Sequence, residues 1–292
     1  LFFNGGLPMD AKALMDSIIR GTVVRPRKMM FFGSDGVGKT TLASESWNAI
    51  FVKTEDGTND LDTTSFPKSE SFADFMQVLS ALLTEDHDRK TVVIDSADGL
   101  QTLVFAETCR RHNVPSIESF GYGKGFTFAL DVLREVIAVL DKLQNERGMM
   151  VIIIAHAKVE TMEDPRLSET YQRYSPNLHR SCSAVWREWV DEVLFLAYKV
   201  ETTKTKEGFN RIRVTGTGEG GRIIYCEARP AFTAKNRMGL PAEIPFHIHM
   251  ADPEHPQRCA DPCEKQTGWE ILSSYFPKPK KTARRRAAKV EV

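Results

Sequence analysis

Residues 33–41 read Gly-Ser-Asp-Gly-Val-Gly-Lys-Thr-Thr, and Gly33 to Thr40 fits the pattern G-x-x-x-x-G-K-T. Residue types in this order can grip a chain of phosphates. Gly33, Gly36 and Gly38 let the backbone curl so that its N–H groups turn inward, with Ser34, Asp35 and Val37 between them. Lys39 supplies a mobile cation for the outer phosphates. The Thr40 hydroxyl is a hard oxygen ligand suited to magnesium. Ser34 and Thr41 offer further phosphate contacts. The setting strengthens the pattern, because it follows an apolar run at 28–32 and opens a helical segment. A helix N-terminus there adds partial positive charge beneath the anion. The alternative is an ordinary Gly-rich turn.

Three more residues stand where such chemistry needs them. Asp95 ends the run Thr-Val-Val-Ile-Asp, 56 residues after Lys39, and a carboxylate at a buried strand tip beside the phosphate loop can hold a magnesium-bound water, which makes Asp95 a metal-site residue with Thr40. Glu55 lies just past a second apolar run and could orient the attacking water as a general base. Asp56 is its rival, and a solvated turn acid is the bland alternative. His156 follows the most apolar run of the chain, 149–155. A polar residue in that place can sense the terminal phosphate and pass its state to the segment beyond. A strand-end histidine satisfied by backbone is the competing reading.

The elements that must position these residues follow from periodicity. Helical spacing is expected over 9–20, 39–48, 70–83, 98–112, 126–146 and 182–190. Strands are expected at 28–32, 49–53, 91–94, 149–155, 192–200, 209–215 and 222–228. Residues 55–68 read as a polar loop, and so do residues 157–180, which are long for a loop in a compact domain. Strands alternating with helices and ending in a β-rich stretch imply a mostly parallel sheet with an antiparallel extension. No internal repeat is visible.

Composition narrows the class. The chain has 292 residues, enough for one large α/β domain plus small additions, and its 41% apolar content suits a folded, soluble protein. It contains no apolar run of 18 residues and no signal-peptide pattern at the start. The residues before Met9 read as upstream sequence. Five cysteines at irregular spacing argue against a disulfide framework and for a reducing cytoplasm. His247, His249, His255, Cys259 and Cys263 are of zinc-binding types, but their spacing matches no standard zinc module. Net charge is zero, yet residues 278–289 carry seven basic residues and no acid. Such a tail is expected to be disordered and able to touch nucleic acid, or simply to solubilise the end.

Taken together, these residues resemble the RecA-type recombinase ATPases. The resemblance covers about residues 22–245. The phosphate loop, Thr-Glu-Asp-Gly-Thr at 54–58, Val-Val-Ile-Asp-Ser at 92–96 and Lys-Asn-Arg at 235–237 carry it. Within that family the chain looks like the phage-encoded RecA-like single-strand annealing ATPases of the fourth Sak type, also described as phage nucleotide-binding or AAA-type proteins. Gly-Tyr-Gly-Lys-Gly at 121–125 and Ala-Lys-Asn-Arg-Met-Gly-Leu-Pro at 234–241 fit that group.

The resemblance implies a RecA-like α/β core at 22–245. It leaves an N-terminal segment at 1–21, a loop-rich C-terminal segment at 246–276 and the basic tail at 277–292. It implies ATP and magnesium as ligands and Glu55 as the catalytic carboxylate. Lys235 and Arg237 would be fingers reaching the ATP of a neighbouring subunit in a ring or filament. A basic surface pair is the bland alternative. It further implies that single-stranded DNA lies against residues 114–125 and 157–180. The first offers Tyr122 and Lys124. The second offers Lys158, Arg166, Tyr171, Arg173, Tyr174, His179 and Arg180, offset by Glu160, Glu163, Asp164 and Glu169. RecA itself carries Gln where His156 stands here.

The leading expectation is a phage or prophage ATPase of DNA recombination or annealing. It would act in the host cytoplasm and could work with a single-strand binding protein. A RecA-fold helicase or loader motor is the rival enzyme. A nucleotide-dependent DNA-binding module with little turnover is the non-enzymatic alternative.

Overall fold

Strands buried on both faces must be apolar at every position, and the runs at 29–32, 50–52, 92–94 and 150–155 meet that demand. A computed structural model describes residues 10–16, 18, 24–56, 61, 63–166, 168–199, 201–206, 212–217, 221–246 and 267–276. The chain divides into two units, residues 1–25 with 279–292, and Pro26–Lys278. The first contains the short helix α1 (Ala11–Asp16). The second contains all the other elements.

In chain order these are β1 (Lys28–Gly33), α2 (Lys39–Ser44), β2 (Ala49–Lys53), α3 (Phe72–Thr84), β3 (Thr91–Asp95) and α4 (Ala97–His112). Then come α5 (Lys124–Glu146), β4 (Met150–Met162), β5 (Tyr171–Pro176), α6 (Arg180–Trp189) and β6 (Glu192–Tyr198). They are followed by β7 (Glu201–Lys206), β8 (Ile212–Thr217), β9 (Arg222–Tyr225), β10 (Glu243–Phe246) and α7 (Gly268–Ser274).

Five strands run parallel in the order β6-β1-β4-β3-β2. Beyond β6, strands β9 and β10 continue the sheet antiparallel. The expected fold class is what the structure shows: a mostly parallel sheet flanked by helices, with antiparallel strands towards the C-terminus. Alternation along each strand divides the core. Met30 and Phe32 face α3, α4, α5 and α6, where Phe75, Leu100, Leu140 and Trp186 are buried. Met29 and Phe31 face the side of α2 and α7, where Leu42, Trp269 and Phe246 of β10 are buried. Helix α7 therefore belongs to the same unit as the sheet, and its Trp269 meets Trp47 edge-on at 5.6 Å.

The structure corrects several expected elements. Residues 157–180 are not a loop. β4 runs on to Met162 and pairs antiparallel with β5, from Ala157↔Pro176 to Met162↔Tyr171. The helix expected to reach residue 48 ends at Ser44, where the backbone turns and the Ser46 hydroxyl takes the Ala43 carbonyl. β10 escaped notice because Pro245 lies within it, and proline is tolerated in a strand at a sheet edge, which is where β10 sits. The five residues His247, His249, His255, Cys259 and Cys263 lie outside the described residues, as do 277–292.

Candidate functional site

The parallel strands all end at one edge of the sheet, and the chemistry-bearing residues gather there. β1 ends at Gly33, which pairs with His156 on one side and Leu196 on the other. The chain then turns through Gly36 and Gly38, whose φ values of 71° and 96° are left-handed. A side chain with a Cβ would be strained at both. Gly38 is the N-cap of α2, so the helix begins at Lys39 with its free N–H groups towards the loop.

Lys39 is only 6% exposed. Its Nζ donates to the carbonyls of Gly33 and Ser34, at 2.9 Å each. Burial pushes its pKa down, against the pull of Asp35 and Asp95. The Thr40 hydroxyl donates to Asp95 Oδ2 at 3.1 Å. Asp95 is nearly buried, and loss of water raises its pKa to about 6 in spite of that hydrogen bond. Two hard oxygens side by side, one of them anionic, fit magnesium held by Thr40 and Asp95. Bound there, the metal would screen phosphate charge.

Glu55 is placed by a clamp between strand ends. Thr54 N donates to the Asp95 carbonyl at 2.8 Å. The Thr54 hydroxyl donates to the Ser96 carbonyl at 2.8 Å and accepts from Ser96 N at 2.9 Å. Gly99 makes the clamp possible, since a Cβ there would lie 2.4 Å from Thr54 Oγ1. The rival Asp56 turns away and pairs with Lys68 at 2.8 Å.

His156 meets three carboxylates. Its Nε2 is 3.5 Å from Asp35, and its Nδ1 is 3.8 Å from Glu55 and 3.6 Å from Asp98. Its backbone N–H donates to Asp98 Oδ2 at 3.0 Å. The Asp98 carboxylate beside the ring raises the pKa of His156, with burial opposing. Asp98 was missed from the sequence, where it reads only as a helix first-turn acid. Its Oδ1 is buried without a partner among the described residues.

These groups line one cavity of about 350 Å³. Asp35, Gly36, Gly38, Lys39, Thr40 and Thr41 form its floor, and Glu55, Asp95 and His156 form one wall. Ser34 lies outside this cavity, and Val37 is fully buried in the core on the α2 side. Arg222, from β9, also lines it, and nothing in the sequence singled it out.

Lys235 and Arg237 stand elsewhere. Lys235 pairs with Val193, three positions back along β6 from the Leu196 that faces Gly33. Its Nζ donates to the carbonyls of Arg187, Glu188 and Val190, capping the end of α6. In this conformation Lys235 is a helix cap, not a free cation. Arg237 is half exposed and 4.0 Å from Asp191.

Two outcomes test the site. Lys39→Ala removes the cation that meets developing phosphate charge, so turnover should fall at least about 100-fold. The melting temperature should hold, because the lost charge is buried without a carboxylate partner. Retained hydrolysis would remove the assignment. The second concerns Asp95. A raised folded pKa means the proton is held through about pH 6, and the stability it brings is lost as pH rises past that value. Magnesium bound beside Asp95 would have to displace this proton. Its affinity in the nucleotide complex should fall by up to about tenfold per pH unit below pH 6 and level off above it. The slope should be smaller in Asp95→Asn, where only the protonation of the nucleotide's own terminal phosphate remains.

The model of the AAA domain family matches residues 25–238, the span from just before β1 to Arg237 and beyond. The SPbeta prophage-derived uncharacterized protein YorG of Bacillus subtilis (strain 168) is 24% identical over 161 residues. That alignment takes in 53% of this chain and 45% of the relative, so the chain spans less than half of that protein's length. With the phosphate loop, the acidic strand tip and the parallel sheet all in place, the chain belongs to the AAA domain family of P-loop ATPases.

Proposed function

We propose that this ATPase is a phage-type protein of DNA recombination or single-strand annealing, which binds single-stranded DNA and couples that binding to hydrolysis of magnesium-bound ATP. One observation carries the reading. β4 runs unbroken from the core, past His156 at the phosphate cavity, to Met162 in the projecting hairpin. A phosphate gained or lost beside His156 therefore acts on the root of a rigid ladder. At the far end of that ladder, Asp164, Arg166, Tyr171, Arg173 and Arg229 line a second cavity of about 550 Å³. Guanidinium groups and a tyrosine ring are groups that track phosphates and stack on bases.

The cations of the hairpin divide by task. Lys158 donates to the Leu178 carbonyl at 2.6 Å, Arg173 reaches Glu160 at 3.4 Å, and His179 stacks on Phe126 at 3.8 Å. These three hold the hairpin and α6. Arg166 and Arg180 are exposed, though Arg166 is paired with Asp164. Tyr122 is fully exposed at the tip before α5, with φ 48°. An exposed aromatic ring held in that conformation suits a stacking contact. The prophage origin of the Bacillus subtilis relative supports a phage setting.

ATP turnover measured with and without single-stranded DNA, at about 50 and 200 mM salt, tests the proposal. DNA should stimulate turnover, and stimulation should weaken at the higher salt. Tight DNA binding with negligible turnover would point to a binding module, and strand unwinding to a motor. The trans role falls on Arg237. Arg237→Ala should be inactive alone and partly rescued by mixing with Lys39→Ala, because one mixed interface regains a complete site. Failure of any such complementation would remove the finger.

A further inference from the structure

We infer that Arg222 is a phosphate-binding cation supplied by the same chain, closing the cavity on the side away from the carboxylates. The inference rests on the reading that this cavity holds a magnesium nucleoside triphosphate. Its own support is separate from the loop motif.

Register places Arg222. On β9 it pairs with Tyr198 of β6, two residues beyond Leu196, which faces Gly33. Alternation puts Arg222 on the same face as Ile224, which is buried with Leu42 of α2. The side chain therefore stands over the same face as α2, the helix that opens with Lys39 and Thr40. It lines the same cavity as those two residues.

Its contacts explain why it stays there. The guanidinium lies 5.3 Å from the centre of the Tyr198 ring, and the Tyr198 hydroxyl donates to the Gly36 carbonyl at 2.8 Å. Tyr198 thus touches the loop with one end and supports the cation with its face. Arg222 Nε is buried and has no hydrogen-bond partner among the described residues. A buried, unpaired donor beside a phosphate-sized space is costly unless a ligand completes it.

Charge adds a reason, because Asp35, Glu55 and Asp95 line the cavity too and leave an anionic ligand short of cations. A magnesium nucleoside triphosphate carries about two net negative charges. Lys39 supplies one positive charge in the cavity, and Arg222 supplies a second fixed one. The carboxylates Glu55 and Asp95 lie on the opposite wall with His156, where metal and water chemistry belong. A planar guanidinium can also give paired hydrogen bonds to phosphate oxygens, which an ammonium cannot.

The test is equilibrium binding of a non-hydrolysable ATP analogue, of ADP and of adenosine to wild type, Arg222→Lys, Arg222→Gln and Arg222→Ala, with magnesium. Wild type must first bind the ATP analogue; if it does not, the nucleotide reading itself fails. If it does, Arg222→Ala and Arg222→Gln should weaken analogue binding about 10- to 100-fold. Arg222→Lys should fall between them and wild type, and adenosine binding should be unchanged in all four. Equal loss for adenosine and for the analogue would mean that Arg222 supports the fold or the base, and would overturn the inference. Unchanged analogue affinity in a folded Arg222→Ala would overturn it as well. Mixing Arg222→Ala with Lys39→Ala should restore no turnover, because both lesions fall on the same chain's site. Rescue in that mixture would show a cation acting on a neighbour and overturn the same-chain assignment.

Discussion

An ammonium group enclosed by protein, with two carbonyl oxygens and no carboxylate bonded to it, is the constraint on which this site depends. Lys39 is almost wholly buried, and its Nζ rests on Gly33 and Ser34. A charge withdrawn from water is tolerated only where dipoles or an opposite charge compensate. The loop carbonyls compensate in part, and a polyphosphate supplies what remains. The left-handed turns at Gly36 and Gly38 and the start of α2 at Lys39 arrange the loop around that deficit. The fall in the Lys39 pKa has the same origin, since burial penalises the charged form and, among the described residues, its Nζ is bonded only to carbonyls.

The carboxylate wall answers to a different device. β2 and β3 lie in parallel register, with Lys53 beside Asp95, so the next residues of each chain leave the sheet together. Thr54 then fastens one exit to the other through three hydrogen bonds, and Gly99 leaves room for it. Glu55 and Asp95 are thereby held on one wall although 40 residues separate them. Asp98, in the first turn of α4, accepts from the His156 backbone N–H and ties β4 to the same cluster. Three strand ends are thus joined by polar contacts at the C-terminal edge of the parallel strands, those of Thr54 with Ser96 being buried.

What could be read from the sequence was local. The loop spacing, Asp95 and His156 each directly follow an apolar run, and parallel strands necessarily bring such ends to one edge. What could not be read depended on pairing. The hairpin of β4 and β5 stands clear of the core for most of its length, so its strands lack the apolar alternation that marks a strand and looked like a loop. Arg222 precedes two isoleucines and resembles any polar strand start until the register sets it beside Tyr198. Asp98 gains its role only when β4 arrives next to α4. Lys235 and Arg237 share a Lys-x-Arg spacing that suggests one shared duty. The bridge to Val193 separates them, because it carries the Lys235 ammonium under the last carbonyls of α6.

That separation bears on how copies of this chain could share sites. To reach a neighbour, Lys235 would have to abandon three carbonyls at a helix end, each then short of a donor. Arg237 has only an exposed pairing with Asp191 at 4.0 Å, and such a contact contributes little and is screened by salt. The two cations therefore differ in what it costs to move them, not in charge. Of the two, Arg237 is the one that could leave its partner at little cost, while Lys235 fastens this segment to the end of α6. Arg222, held against Tyr198 inside the chain's own cavity, belongs to the fixed half of the same division.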